Sequence, residues 1–188
     1  MNEVSSAALP PVPEVAILGG GCFWCTEAVF AATDGVLAVM PGYCGGQVEA
    51  PSYHQVCGGR TGHAEVVRVE FDPARLDYRE LLQIFFTIHD PTTRDRQGND
   101  VGPQYRSVIF ATSAAQFDTA RALIAELDRS GAWAQPIVTE VRREARFWPA
   151  EEEHHDYYAN NGEQPYCRLV VAPKVAKFHQ RFPGRWRP

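Results

Sequence analysis

Long apolar runs and an excess of basic residues are both absent from this sequence. Its 188 residues carry 18 Lys and Arg against 23 Asp and Glu, which gives a formal net charge of −5. A membrane-spanning helix needs about 20 consecutive apolar residues, and a nucleic-acid-binding surface is usually basic. Basic residues are concentrated only within residues 182–187, where we expect a solvated terminus. We therefore predict neither a membrane partner nor a nucleic-acid partner.

The first fourteen residues contain three prolines and no apolar segment, so we do not expect them to act as a secretory signal. We expect residues 1–14 to form a flexible leader. A chain of this length usually builds a single core, and we therefore expect one domain over residues 15–188. We further expect a monomer.

Five cysteines are present, an odd number in a sequence without a secretory signal. In a reducing cytoplasm, thiols stay free, bind metal or take part in catalysis, and they rarely form a structural framework. We therefore predict a cytoplasmic protein in which at least one of the thiols is functional.

Apolar periodicity predicts an α+β fold with the element order β-α-β-β-α-β, followed by a further helix. Strands are predicted at residues 15–18, 36–43, 65–71 and 105–111, helices at 24–32, 77–88 and 113–127, an edge strand at 138–141 and a short helix at 151–159. This order is typical of a ferredoxin-like, split βαβ core, a two-layer sandwich with helices on one face of a mainly antiparallel sheet. Long loops at residues 42–63 and 89–104 are expected to carry the functional site.

Cys22 follows the first predicted strand and three consecutive glycines, at the start of a predicted helix. Unpaired backbone N–H groups and the helix dipole favour a thiolate at such a position. The glycines allow a ligand to approach the sulfur closely. We therefore predict a lowered pKa and a nucleophilic role for Cys22, against the alternative of a cysteine that only fills space in the core.

Cys22 and Cys25 form a C-x-x-C motif, which leaves other functions open. One is thiol–disulfide exchange, although the predicted strand order does not give the parallel crossover that accompanies this motif in thioredoxin-like proteins. Another is half of a zinc site, which needs two further ligands with suitable spacing. Cys44 and Cys57 lie thirteen residues apart, so we predict no metal. A non-catalytic, thiol-bearing binding module is a third alternative.

Several motifs occur in a characteristic order along nearly the whole chain. They are Gly21-Cys22-Phe23-Trp24, Gly42-Tyr43, Pro51-Ser52-Tyr53, Thr61-Gly62-His63-Ala64-Glu65, His89-Asp90-Pro91-Thr92, Arg96-Gln97-Gly98-Asn99-Asp100, Gln104-Tyr105-Arg106-Ser107, Ala150-Glu151, His154 and Pro165-Tyr166-Cys167. In these motifs, the chain resembles the peptide methionine sulfoxide reductase A family over residues 15–178. Several separate motifs in one order make a chance similarity implausible.

The resemblance implies a catalytic domain that reduces methionine S-sulfoxide, free or within oxidised proteins, and so takes part in protein repair under oxidative stress. It implies that Cys22 attacks the sulfoxide sulfur, that methionine leaves, and that a cysteine sulfenic acid remains. A second thiol then forms a disulfide, which thioredoxin reduces. No organic cofactor and no metal are implied.

The resemblance assigns the role of general acid to Glu65. The alternation along the predicted strand supports this role independently, because Glu65 shares a face with Val67, Val69 and Phe71. A carboxyl group among apolar side chains has a raised pKa and stays protonated. The alternative is a carboxylate at the end of the strand that points to solvent.

Five further residues take roles from the resemblance. Tyr53 and Tyr105 correspond to the two tyrosines that hydrogen-bond the sulfoxide oxygen, and Asp100 to an aspartate that helps hold substrate or water. Phe23 and Trp24 correspond to the lining of the pocket for the substrate methyl group. Each has an ordinary alternative, as a half-buried tyrosine, a turn former or a helix residue packed on the sheet.

The resolving cysteine stays open between Cys25 and Cys167. Relatives often have glycine at the position of Cys25, and one helical turn brings this residue next to Cys22. Cys167 corresponds to a carboxy-terminal cysteine that resolves in some family members, but the apolar residues 168–173 indicate a packed segment. We favour Cys25. Cys44 and Cys57 are predicted to be structural.

Overall fold

A computed structural model describes residues 12–143 and 145–187. The strands are β1 (Glu14–Gly20), β2 (Val36–Cys44), β3 (Ala64–Phe71), β4 (Arg96–Gln97), β5 (Asp100–Val101), β6 (Ser107–Ala111), β7 (Glu140–Arg143) and β8 (Phe147–Pro149). The helices are α1 (Phe23–Ala31), α2 (Tyr53–Cys57), α3 (Tyr78–Ile88), α4 (Ala114–Ser130), α5 (Tyr157–Asn161) and α6 (Ala172–Arg181). Among the helices of the described ranges, none combines the length and the apolarity required to cross a bilayer. The predicted leader lies outside these ranges as far as residue 11.

Six strands form one sheet in the order β7-β6-β1-β3-β2-β8. Every neighbouring pair is antiparallel except β6 and β7, which are parallel. The short strands β4 and β5 pair separately as an antiparallel hairpin. The protein is therefore an α+β fold with a mostly antiparallel sheet, as its sequence predicts.

The main core lies between the sheet and the helices. Val67, Val69 and Phe71 of β3 are fully buried in it, together with apolar side chains from α1, α3, α4 and α6. The alternate residue Val66 belongs to a smaller cluster with Ile17, as expected for side chains that point to opposite faces of a strand. The alternation that the sequence predicts for β3 is therefore correct, and it places Glu65 on the helix-covered face.

Local capping begins two of the helices where the sequence predicts it. Asp77 accepts a hydrogen bond of 2.8 Å from the backbone N–H of Glu80 at the start of α3. Ser113 accepts one of 3.1 Å from the N–H of Gln116 at the start of α4. These side chains replace partners that the first turn of a helix lacks. Gly131, in the left-handed conformation, ends α4.

Several boundaries differ from the prediction. The fourth predicted strand starts at Ser107 because Pro103–Tyr105 form a 3-10 turn, and the edge strand lies at Glu140–Arg143. The predicted helix over residues 151–159 is divided in two, because Asp156 has a positive φ of 50° that a helix cannot continue through. The two predicted loops contain α2 and the β4–β5 hairpin.

The basic tail is packed on the protein, which corrects the expectation of a solvated terminus. The guanidinium group of Arg187 donates hydrogen bonds to the carbonyls of Ala31 (2.6 Å) and Val36 (3.1 Å). Arg185 forms an ion pair with Glu80 of α3. The carbonyls at the end of a helix lack partners within it, so cationic side chains are favourable there. The tail thus fixes the carboxy-terminal end of α1.

Candidate active site

Cys22 occupies the turn between the central strand β1 and helix α1. It is the N-cap residue of α1, and its side chain is 7% exposed. The preceding Gly21 has a φ of 96°, which L side chains rarely adopt. All five cysteines of the chain are free thiols. The sulfur of Cys22 therefore lies at the end of a helix, just below the protein surface.

The loop that carries Asp100 closes against this turn. A Cβ atom on Gly21 would lie 2.6 Å from Cγ of Gln97, so only glycine permits the contact. The Gln97 amide donates to the carbonyl of Asp90 (2.9 Å) and accepts from the Asp90 N–H (3.0 Å). These paired hydrogen bonds fix residues 90–97 beside the nucleophile candidate.

The pKa of Cys22 is raised well above that of an ordinary thiol, so the sequence-based prediction of a lowered pKa was wrong. Burial is the main cause, followed by a hydrogen bond with Cys25 and by the negative charge of Glu65. The neighbouring Tyr166 hydroxyl acts in the opposite direction and lowers the pKa. Desolvation of a thiolate outweighs the helix terminus here. In the substrate-free protein Cys22 is therefore a thiol.

Glu65 is 1% exposed at the start of β3. Its Oε2 accepts a hydrogen bond of 3.1 Å from the backbone N–H of Phe23, while its Oε1 is buried without a partner. Burial raises the pKa of Glu65 to about 8, the Phe23 bond opposes this shift, and the charge of Asp100 adds to it. Glu65 is therefore a neutral carboxylic acid at pH 7, as its apolar face predicts.

Tyr53 at the start of α2 and Tyr105 in the 3-10 turn are half-buried near Glu65. Burial, and then the charge of Glu65, raises the pKa of both hydroxyl groups. The backbone N–H of Tyr53 donates to Oε2 of Glu151 (3.0 Å), and the Tyr43 hydroxyl donates to Oε1 of the same carboxylate (3.0 Å). Glu151 thus joins the first turn of α2 to β2.

Asp100 is bound to a tyrosine to which sequence analysis assigned no role. The Tyr166 hydroxyl donates a hydrogen bond of 2.6 Å to Oδ2 of Asp100. The same hydroxyl lies within hydrogen-bonding reach of the Cys22 sulfur. The motif Pro165-Tyr166-Cys167 was the available signal, but nothing local indicates that Tyr166 reaches a thiol far away in the sequence.

An aromatic cluster lies on one side of α1. Phe23 is fully buried, with its ring centroid 5.4 Å from that of His154. Trp24 is half-buried and stacks on Tyr157 at 3.7 Å and 7°. The Trp24 indole N–H donates to Nδ1 of His154 (3.2 Å), and the His154 ring packs 4.4 Å from Tyr53. Trp24 is therefore the more accessible of the two predicted lining residues.

Both candidate resolving cysteines belong to the same apolar cluster as Cys22. The backbone N–H of Cys25 donates to the Cys22 carbonyl (3.1 Å), and a hydrogen bond from the Cys22 thiol lowers the pKa of Cys25. Cys167 is fully buried at the start of the π-helical turn Cys167–Val171, and burial raises its pKa. The three thiols therefore lie in one dry environment.

The other two cysteines lie apart from this cluster. Cys44 is buried and its thiol donates to the carbonyl of Ala145 (3.5 Å). Cys57 is exposed at the end of α2, where its thiol contacts the Tyr53 hydroxyl. In the described part of the chain, no group of three or more His, Cys, Asp or Glu side chains is arranged to hold a metal ion.

Known proteins match the chain over nearly its whole length. The family model described as peptide methionine sulfoxide reductase matches residues 14–185. Peptide methionine sulfoxide reductase MsrA from Ralstonia nicotianae is 57% identical over 176 residues, which cover 92% of each chain.

Two solved structures extend the match to three dimensions. Reduced Mxr1 from Saccharomyces cerevisiae has a TM-score of 0.76 at 36% identity, over 82% of this chain and 89% of that one. Mxr1 in complex with Trx2 has a TM-score of 0.55 at 25% identity, over 80% and 91%. The chain therefore belongs to the peptide methionine sulfoxide reductase family.

Proposed function

We propose that this protein reduces methionine S-sulfoxide, free or within proteins, to methionine, with Cys22 as the nucleophile and thioredoxin as the reductant of the disulfide that results. One observation carries the proposal. A carboxyl group that is neutral at pH 7, with one oxygen free of any partner, is buried close to a thiol at a helix terminus.

Glu65 supplies the proton that the sulfoxide oxygen needs. That oxygen is a good hydrogen-bond acceptor but leaves sulfur only once it is protonated. Because Oε2 accepts the N–H of Phe23, the proton of the neutral acid belongs on Oε1. A buried O–H without an acceptor is costly, so the site favours a ligand that provides one.

Tyr53 and Tyr105 act beside Glu65 as donors to the same oxygen. Their raised pKa values keep both hydroxyl groups protonated throughout the physiological pH range. Asp100 accepts the Tyr166 hydroxyl and so directs that side chain toward Cys22. Trp24 and Phe23 form the apolar wall for the methyl group of the substrate.

Cys22 supplies the two electrons. Its sulfur attacks the sulfoxide sulfur, and the protonated oxygen then passes to Cys22. The S–O bond of the substrate breaks as the S–O bond of the Cys22 sulfenic acid forms, and methionine departs as a thioether. The Cys22 thiol proton replaces the proton that Glu65 gives to the oxygen, so the acid is restored. Because the charge of Glu65 is one cause of the raised Cys22 pKa, a protonated Glu65 also makes thiolate formation easier.

Cys25 resolves the sulfenic acid. Its thiolate attacks the Cys22 sulfur, an S–S bond forms and water leaves. Cys25 lies in the same helical turn as Cys22, with its backbone N–H on the Cys22 carbonyl (3.1 Å), and this proximity supports its role over Cys167, whose pKa is raised by burial. Reduced thioredoxin then returns both thiols, a step supported by the solved complex of Mxr1 with Trx2.

We also propose that residues 15–188 act as one catalytic domain around a ferredoxin-like, split βαβ core. The order β6-β1-β3-β2 with antiparallel neighbours supports this topology, because β1 and β2 are connected through α1 while β3 lies between them.

The test of function is a single addition of methionine S-sulfoxide to the reduced protein without any reductant. We expect about one methionine per chain and the loss of two thiols, followed by renewed turnover when reduced thioredoxin is added. Methionine R-sulfoxide is the control and is expected to stay unchanged. If no methionine were released, the proposed reaction would be wrong.

A further inference from the structure

Glu27 is a buried carboxyl group on α1 that the reaction above does not use. It is 3% exposed. Its Oε1 accepts the backbone N–H of Asp156 (2.9 Å), and its Oε2 accepts the N–H of Tyr157 (3.3 Å). Both oxygens are therefore committed to one short stretch of backbone at the start of α5.

That stretch has no cap of its own. Asp156 is the N-cap residue of α5, yet its side chain makes no capping hydrogen bond. Its φ of 50° lies in the left-handed region, which is costly for a residue other than glycine and persists only when surrounding groups hold it. The Glu27 carboxyl group supplies both acceptors and holds this conformation from a different helix.

The segment fixed in this way carries part of the candidate pocket. Tyr157 stacks on Trp24 at 3.7 Å, and His154 accepts the Trp24 indole N–H. Trp24 and Glu27 are three residues apart on α1 and therefore lie on the same side of the helix. One carboxyl group and one indole thus attach residues 154–157 to a single face of α1.

We propose that Glu27 is a positioning residue for the substrate pocket, which holds Tyr157 against Trp24 and so fixes the aromatic wall that receives the methyl group. This inference rests on the function proposed above. Burial raises the pKa of Glu27 to about 7, the bond from Asp156 opposes this shift, and the charge of Asp156 adds to it. A carboxyl group so costly to bury indicates that its two backbone partners need it.

The experiment measures methionine release in single-turnover reactions over a range of methionine S-sulfoxide concentrations. Glu27→Ala is expected to raise the half-saturating concentration roughly tenfold, as loss of a hydrogen-bonded support does, with little change in the maximal rate. Glu27→Gln keeps one acceptor oxygen and is expected to have a smaller effect. It also keeps the side-chain volume, so it remains informative if Glu27→Ala does not fold.

Asp77→Ala is the matched control, because Asp77 also accepts a backbone N–H at a helix start but caps α3. It should lower stability and leave the half-saturating concentration unchanged. An equal rise in Asp77→Ala would overturn the inference, since general destabilisation would then explain the effect.

A double-mutant cycle with Tyr157→Ala tests the route of action. If Glu27 acts through Tyr157, Glu27→Ala adds little to the defect of Tyr157→Ala. Independent, multiplying effects, or a normal half-saturating concentration in Glu27→Ala, would contradict the positioning role. Failure of the wild-type protein to release methionine would instead defeat the proposed function, so the two failures are distinguishable.

Discussion

Oε2 of Glu65 accepts a hydrogen bond of 3.1 Å from the backbone N–H of Phe23, the residue that follows Cys22. This bond joins the start of β3 to the first turn of α1 and connects the acid to the nucleophile through one peptide unit. It also decides which carboxyl oxygen is free, because only Oε1 is left without a partner. The chemistry of Glu65 can therefore be tested separately from its position.

Glu65→Gln should reduce methionine release by roughly 10²–10⁴-fold, because the amide can donate a hydrogen bond but cannot transfer a proton. Gln keeps the acceptor for Phe23, so the fold should be unaffected. Single-turnover methionine release is the measurement, and exchange with a small disulfide is the control. Disulfide exchange by Cys22 and Cys25 needs no acid and should be unaffected. Full sulfoxide turnover in Glu65→Gln would therefore show that protonation by Glu65 is not part of the mechanism.

The stability of the protein should depend on pH through Glu65. Its pKa is raised from an ordinary 4.5 to about 8, so the folded state holds the proton more tightly than the unfolded chain does. The contribution of Glu65 is complete below pH 4.5 and is lost as the pH rises through about 8. The unfolding free energy should fall by up to about 1.4 kcal/mol per pH unit within this window.

Chemical denaturation of the wild type and Glu65→Gln at several pH values isolates this dependence. Glu27 also titrates near neutrality, but it is present in both proteins and cancels in their difference. The unfolding free energy of the wild type minus that of Glu65→Gln should fall as the pH rises. If it instead increased with pH, the fold would stabilise the Glu65 carboxylate, contrary to its burial.

Substitutions of the two candidate resolving cysteines should behave differently. Cys167→Ser should still form a Cys22–Cys25 disulfide after one equivalent of methionine S-sulfoxide. Cys25→Ser should accumulate the Cys22 sulfenic acid, because the other candidate, Cys167, has a thiol pKa raised by burial and is a poor nucleophile. Mass spectrometry with a sulfenic-acid trap measures both products. Rapid formation of a Cys22–Cys167 disulfide in Cys25→Ser would assign the resolving role to Cys167.

Gly21→Ala should destabilise the protein and impair the site. The positive φ alone should reduce the unfolding free energy by about 1–3 kcal/mol. The added Cβ must also displace Gln97, at 2.6 Å, and so disturb the loop that carries Asp100. Gly131→Ala is the control, because Gly131 also has a positive φ but open space around it. Equal catalytic loss in both variants would show that the Gln97 contact is unimportant.

Sequence reasoning was most successful where the evidence is local. The alternation of buried and exposed residues in β3 predicts the burial and the raised pKa of Glu65, and the glycines before Cys22 predict the turn that leads from β1 into α1. The pKa of Cys22 was predicted in the wrong direction, because the depth of a thiol depends on segments far away in the sequence. Tyr166 and Glu27 were missed for the same reason, since both act through contacts across more than sixty residues.

Short elements were also beyond prediction. The strand β8 has only three residues, too few to show an alternation of apolar and polar side chains. Its pairing with β2 is a contact between distant segments that the local sequence does not indicate. Helix α6 begins with Ala172-Pro173, where proline is tolerated in the first turn but is easily taken for the end of a helix.

The burial of Cys25 and Cys167 has a consequence for how the oxidised protein is renewed. Both are fully shielded from solvent and Cys22 is only 7% exposed, so a disulfide between Cys22 and either of them is poorly accessible to a reductant until the surrounding segments separate. Regeneration must then wait for a transient local opening, and its speed is set by how often that opening occurs and not by the strength of the reductant. The same shielding would protect the oxidised protein from adventitious small thiols, so that renewal depends on a partner able to bind and stabilise the opened form.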